Sequence, residues 1–135
     1  MDKTRVAAYP WAMRSFFEHY GESFVRPEMA GIADCFAYPC MITNEAGTDL
    51  ICDAEALGQH VESFLASVQG LGVARAEPVI LDDRVYGENN RAALVRWELF
   101  GRDGTPLDEP YGAFTYLYIL TAGPQGWKIQ LANLV

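Results

Sequence analysis

Apolar residues recur every three to four positions through the first half of the chain, and alternate or run together through the second. Pro10 suits a first helical turn, and behind it Met13, Phe16, Phe17, Tyr20 and Phe24 share one face, which predicts a helix over Pro10–Val25. Pro27 opens a second, shorter helix in which Met29, Ile32, Ala33 and Phe36 repeat the helical spacing, so that Phe36 ends it. From residue 38 the period changes. Residues 38–43 and 48–52 flank a turn at Asn44, Glu45, Ala46 and Gly47 and read as a strand pair. Asp53 stands where an N-cap belongs, Glu55 complements the dipole of the helix it opens, and Leu57, Val61, Phe64, Leu65 and Val68 form a stripe that stops at Gly70 and Gly72. Four strands follow, over Val73–Tyr86, 91–100, 111–121 and Gly126–Leu134, with connections short enough to make neighbours antiparallel.

Helices first and a meander afterwards predict an α+β domain, its three helices on one face of a curved antiparallel sheet, with residues 1–135 as one unit. The other face carries no clean polar alternation. In 92–100, Ala93, Val95, Trp97 and Leu99 face one way and Leu94 and Phe100 the other; in 111–120 both parities are again mostly apolar. A sheet with one wet face should alternate, so the pattern predicts a homodimer through the outer sheet face.

Composition narrows the partners. Ten basic against eighteen acidic residues give a formal charge of -8, which repels nucleic acid and anionic membranes. No stretch has the length and apolarity of a signal-peptide core or a membrane span, so the expected location is the cytoplasm. Cys35, Cys40 and Cys52 are odd in number and lack paired spacing, reading as free thiols. His19 and His60 are far apart with no carboxylate at ligand spacing, and no glycine-rich phosphate cradle occurs, so neither a metal nor a cofactor is expected.

Four local pieces, in their order, carry a family likeness: Ala33-Asp-Cys-Phe36, Asp53 opening its helix, Gly112-Ala-Phe-Thr-Tyr116, and Gly126-Trp-Lys-Ile129. The chain resembles the nuclear-transport-factor-2-like superfamily, in particular its SnoaL-like and ketosteroid-isomerase-like members, over nearly its whole length. The resemblance implies a cone-shaped, curled sheet enclosing a pocket, often a dimer, with divergent functions on one fold. Isomerase relatives use a carboxylate base and an oxyanion hole of a tyrosine and a protonated aspartic acid, a case among the standard examples of pKa tuning. Counted from Phe36, the tyrosine position sixteen residues back is Tyr20 and the base position eight residues on is Asn44, with Glu45 beside it. An amide cannot take a proton at neutral pH, so the resemblance carries over the phenol and not the base. The third position falls in the Phe114, Tyr116, Tyr118 row, where Tyr116 is the preferred occupant.

The candidate acids and bases are therefore His60, Tyr20, Tyr116 and Asp34. Each has a bland alternative. Tyr20 lies on a helical stripe that is ordinarily core. His60 flanks its stripe and has a side chain suited to proton transfer near neutrality, but lone histidines commonly bond a backbone carbonyl or solvent. Asp34 among apolar neighbours is either turned inward, with a raised pKa, or an ordinary helix-face charge. Phe17, Tyr38, Asn44, Trp97 and Asn133, with Trp11, are the candidate ligand contacts. Asp82 and Asp83 read as turn residues, and Arg96 and Glu98 as a pair across strands or at a cavity. Two functions follow: a pocket protein for a small apolar or aromatic molecule, or a metal-free isomerase, cyclase or dehydratase working by general acid and base.

Overall fold

The structure is a computed structural model that describes residues 10–108 and 112–135. The side chain of Trp11, and Tyr111 at the expected start of a strand, lie outside the described residues. The elements are α1 (Pro10–Val25), α2 (Met29–Asp34), β1 (Phe36–Asn44), β2 (Gly47–Ile51), α3 (Ala54–Gly70), β3 (Val73–Tyr86), β4 (Asn90–Gly101), β5 (Ala113–Gly123) and β6 (Gly126–Leu134). Among the described residues no helix is long and apolar enough to cross a membrane.

The six strands form one sheet in the order β2-β1-β6-β5-β4-β3. Strands joined by short loops are antiparallel, as their connections require, but β1 and β6 pair in parallel because the chain closes by laying its last strand beside its first. Register shifts at Val73/Arg75, Ile80/Asp82, Ile119/Leu120 and Phe36/Met41 insert bulges, and bulged strands bend, which curls the sheet without closing it.

Two boundaries differ from the sequence pattern. The helical spacing through Phe36 overruns α2, which stops at Asp34; the amide of Cys35 still bonds Ile32, and Phe36 begins β1 opposite Ile129. Its buried ring serves the sheet, so an apolar residue at helical spacing was fixed by tertiary packing instead. Asp82 and Asp83 belong to β3 and not to a turn. Asp83 Oδ1 and Oδ2 accept two hydrogen bonds from Arg91, at 2.6 and 2.5 Å, and Arg91 is only 1% exposed with Trp127 under its guanidinium.

The core lies between the inner sheet face and the helices. Ala93, Val95, Trp97 and Leu99 of β4 project toward Met13 and Phe17 of α1, Ile32 of α2, and Leu57 and Val61 of α3. Asp53 caps α3 through a bond from Ala56 N to its Oδ1 at 2.8 Å. α1 approaches β4 closely at Gly21, where a β-carbon would sit 2.6 Å from the Trp97 ring. That proximity requires glycine and brings the helix down on one wall of a cavity.

Candidate functional site

The mouth and walls of this cavity come chiefly from five elements. α1 contributes Tyr20, Gly21 and Phe24; β4 and β5 contribute Trp97 and the Phe114, Tyr116, Tyr118 row; α3 contributes His60, Ser63, Phe64 and Ser67; and β1 contributes Ile42 and Asn44. The volume is about 450 Å³, within the range of small-molecule sites. The rings form a connected set. Tyr116 stacks on Tyr118 with centroids 5.6 Å apart, and Phe24, Phe64 and Phe114 meet edge to face. The parity of β5 explains the row: Phe114, Tyr116 and Tyr118 lie opposite Trp97, Val95 and Ala93 on the inner face.

At the deep end Trp97 Nε1 donates to the hydroxyl of Tyr118 at 2.8 Å, both groups buried, which fixes the orientation of the indole. Burial pushes the Tyr118 phenol far above its ordinary pKa, only partly offset by that bond. Tyr20 is raised well above 10 by burial and then by the neighbouring Tyr118 and Tyr116, and Tyr116 is raised by burial. All three phenols are therefore neutral hydroxyls at physiological pH, hydrogen-bond donors rather than bases. Among the described residues the Tyr20 and Tyr116 hydroxyls have no hydrogen-bond partner in the protein.

At the mouth, α3 presents His60, Ser63, Phe64 and Ser67, spaced i, i+3, i+4, i+7 and hence on one face. Across from it β2 carries Asp49, paired with the cavity residue Ile42 and so on the same face of the hairpin. Asp49 Oδ2 lies 3.2 Å from His60 Nδ1. The sequence offered His60 without a partner; the five-residue strand β2 supplies one. Among the described residues no lysine, arginine, aspartate or glutamate lines the cavity, and no cluster of three metal-binding side chains occurs.

Of the nine residues singled out from the sequence, Tyr20, Asn44, His60, Trp97 and Tyr116 line the cavity. Asn44 is partly committed, its Oδ1 accepting from Ala46 N at 2.9 Å to hold the hairpin turn. The other four lie elsewhere. Asp34 points outward, its side chain 79% exposed and 3.8 Å from Lys128, so α2 turns its charge to solvent. Phe17 is fully buried behind the wall, 4.8 Å from the Tyr118 ring and 6.3 Å from Trp97, and supports the lining without reaching the space. Tyr38 donates to the carbonyl of Ala33 at 2.9 Å, and burial first of all pushes its phenol up to about 12. Asn133 pairs with Leu117 and Thr43 on the outer face, while its neighbour Ala132 faces the cavity. Arg96 Nε and Glu98 Oε2 meet along their own strand at 3.2 Å and away from the cavity. Sequence reasoning missed Asp49, which carries no local signal. It also missed Ser63 and Ser67, which the helical spacing from His60 could have revealed.

The family described as NTF2-like protein (DUF6841) matches residues 11–133. No curated protein matches the chain. Several solved structures share its architecture. A domain of unknown function with a cystatin-like fold from Nostoc punctiforme PCC 73102 has a TM-score of 0.73 at 19% identity, covering 95% of this chain and 76% of its own. A candidate ketosteroid isomerase from Shewanella frigidimarina NCIMB 400 has a TM-score of 0.68 at 14% identity, covering 90% and 92%. An NTF-2 like protein of unknown function from Shewanella oneidensis MR-1 has a TM-score of 0.66 at 12% identity, covering 89% and 93%. Likeness at these identities establishes a shared fold and carries no chemistry with it.

Proposed function

We propose that this chain, which belongs to the NTF2-like family DUF6841, binds a small, planar, mostly apolar molecule in the cavity between α1, α3 and the inner sheet face. The observation that carries the reading is the wall itself: seven aromatic rings around about 450 Å³ with two phenol hydroxyls that have no protein partner among the described residues. Rings gain from burial and stacking, and the free hydroxyls orient a ligand that carries an oxygen. The test is a thermal-shift screen of bicyclic aromatic ketones against the purified protein. A ligand present at a hundred times its Kd should stabilise the fold by about 2.7 kcal/mol. A screen in which no member of the class raises the Tm sinks the proposal.

A second reading, metal-free acid and base catalysis on the bound molecule, draws support from one contact, Asp49 to His60 at the cavity mouth. An imidazole oriented by a carboxylate is a competent proton acceptor. In deuterated buffer the protein would then speed exchange at C1 of 2-tetralone, and His60→Gln would abolish the gain. Exchange no faster than in buffer rejects it.

The assembly that fits the outer face is a homodimer. Leu50, Met41, Leu131, Ile119 and Ala92 form a row across five strands, each paired with the next in register. Leu50 is 64% and Met41 42% exposed. A second copy placed face to face would cover this row, and a stable dimer needs about 800 Å² from each partner. Light scattering at micromolar concentration should give twice the chain mass, and a monomer there refutes the pairing.

A further inference from the structure

The cavity has two chemically different ends, and their polarity specifies more than an aromatic ligand. At the deep end stand hydroxyls held neutral by burial, Tyr20 and Tyr116, free to donate. At the mouth stands His60, whose Nδ1 lies 3.2 Å from the carboxylate of Asp49. A nitrogen lone pair turned toward that negative charge is repelled while an N–H is attracted, so the proton of a neutral imidazole is favoured on Nδ1, and Nε2 is left as an acceptor. Nε2 has no hydrogen-bond partner among the described residues. The ring lines the cavity while remaining 21% exposed.

We infer that the ligand is a hydroxyaryl ketone, or a molecule of the same polarity: an arene that carries a carbonyl oxygen at the deep end, accepting from Tyr20 or Tyr116, and a hydroxyl at the mouth, donating to His60 Nε2. This rests on the pocket reading above. Asp49 is then a positioning residue for specificity. It does not touch the ligand but fixes which tautomer meets it. Among the described residues the lining holds no lysine, arginine, aspartate or glutamate, which fits a neutral ligand, since an ionised group inside would have no counter-charge there. The polar rail of Ser63 and Ser67 beside His60 leaves the hydroxyl end at the solvent-facing mouth, where its desolvation is least.

The experiment is calorimetric titration at pH 8 of the full chain with three matched probes, 6-hydroxy-2-tetralone, 6-methoxy-2-tetralone and 2-tetralone, whose phenol is not conjugated to the ketone. A hydrogen bond of ordinary net strength predicts that the hydroxy compound binds about 3- to 10-fold more tightly than the methoxy compound. His60→Phe and Asp49→Asn should erase this preference, bringing the hydroxy and methoxy compounds to within about 2-fold of each other whatever the change in overall affinity. Tyr116→Phe, or Tyr20→Phe with it, should weaken all three ketones alike, leaving the hydroxy preference intact. A ¹⁵N spectrum should show a neutral His60 ring protonated at Nδ1 in the parent, and a shift toward the Nε2-protonated form in Asp49→Asn, which a merely structural role for Asp49 would not produce. If the three probes bind equally, or the methoxy compound binds best, the polarity assignment is overturned and the pocket reading stands. If none binds, both fail together. An Nε2-protonated or doubly protonated His60 in the parent also overturns the assignment.

Discussion

Asp83 and Arg91 hold β3 against β4, the strand that carries Trp97 and Leu99 of the cavity wall, and replacing Asp83 by alanine tests how much that clamp contributes. Arg91 is 1% exposed and Asp83's side chain 12%, and two hydrogen bonds at 2.6 and 2.5 Å join them. Removing the carboxylate leaves a buried guanidinium with only the Trp127 face, 5.6 Å from its ring centroid, to compensate it. Breaking a buried pair from one side costs about 3–5 kcal/mol, and the residual water access at Asp83 argues for the lower end. Against a domain stability of about 5–15 kcal/mol, a loss near 3 kcal/mol is large. At this chain length each kcal/mol moves the Tm by about 3–5 °C, so the midpoint should fall by about 10 °C. Urea denaturation followed by far-UV circular dichroism gives the free energy directly. The companion variant Asp83→Leu with Arg91→Met removes both charges and should recover most of the loss, because an apolar pair needs no compensation. A single substitution costing less than about 1 kcal/mol, or a double variant as unstable as the single one, would refute the claim that the ion pair is effectively buried.

Three further outcomes follow from other parts of the fold. Gly21→Ala should destabilise despite the better helix propensity of alanine, because its β-carbon meets Trp97 at 2.6 Å; overpacking costs about 1–3 kcal/mol, and calorimetric affinity for 2-tetralone should fall with it. Tyr20, Tyr116 and Tyr118 have pKa values raised in the folded state, so the native protein binds more protons than the unfolded chain above the free phenol value of about 10. Their contribution is complete below that pH and is lost as pH rises through the folded values; stability should decline between pH 10 and 12, and ultraviolet titration should show these phenols ionising late. Burial pushes Cys35 and Cys40 up to about 11 each, while Cys52 is exposed. Iodoacetamide at pH 7.5 should therefore label one thiol of the three quickly, as read by mass spectrometry, and rapid labelling of Cys40 would contradict its burial.

Long-period features of the chain were legible from the sequence. The stripes Met13 to Phe24 and Leu57 to Val68 gave α1 and α3, and the apolar parity of Val95 and Trp97 gave the inner face, because those patterns arise from one element meeting one core. Phe36 was misread for the same reason: its spacing fits α2, yet its ring is buried in β1 beside β6, a contact across most of the chain. The pairing of β1 with β6 in parallel has no local signal either. Tyr20 and Tyr116 could be nominated through the family likeness, which puts a phenol sixteen residues before Phe36 and a donor in the Phe114, Tyr116, Tyr118 row. Asp34, nominated for its apolar neighbours, and Asn133, nominated for its place near the end of the last strand, both turn outward, since a short helix or a last strand presents either face without changing its pattern.

Asp49 shows what the sequence withholds and why it matters for the chemistry. It lies in a five-residue strand whose other members through Leu50 are exposed, so no periodicity marks it, and only the hairpin register opposite Ile42 turns it toward α3. The position at which isomerase relatives are expected to hold a carboxylate contains Asn44, whose amide oxygen is committed to its own turn. The hairpin carries a carboxylate instead at Asp49, two strand partners along, and it meets an imidazole on α3 at 3.2 Å rather than facing the cavity directly. A carboxylate in contact with the ligand would demand a donor or a proton from it; a carboxylate behind a histidine demands a donor but leaves the lining neutral. Exchanging the two arrangements, by Asn44→Asp with His60→Phe, should return a titratable carboxyl to the wall. It should convert a preference for a neutral hydroxyl into affinity for protonated amines, measured with 6-hydroxy-2-tetralone against 2-aminotetralin. Unchanged selectivity in that variant would mean that the hairpin does not set the polarity of the mouth.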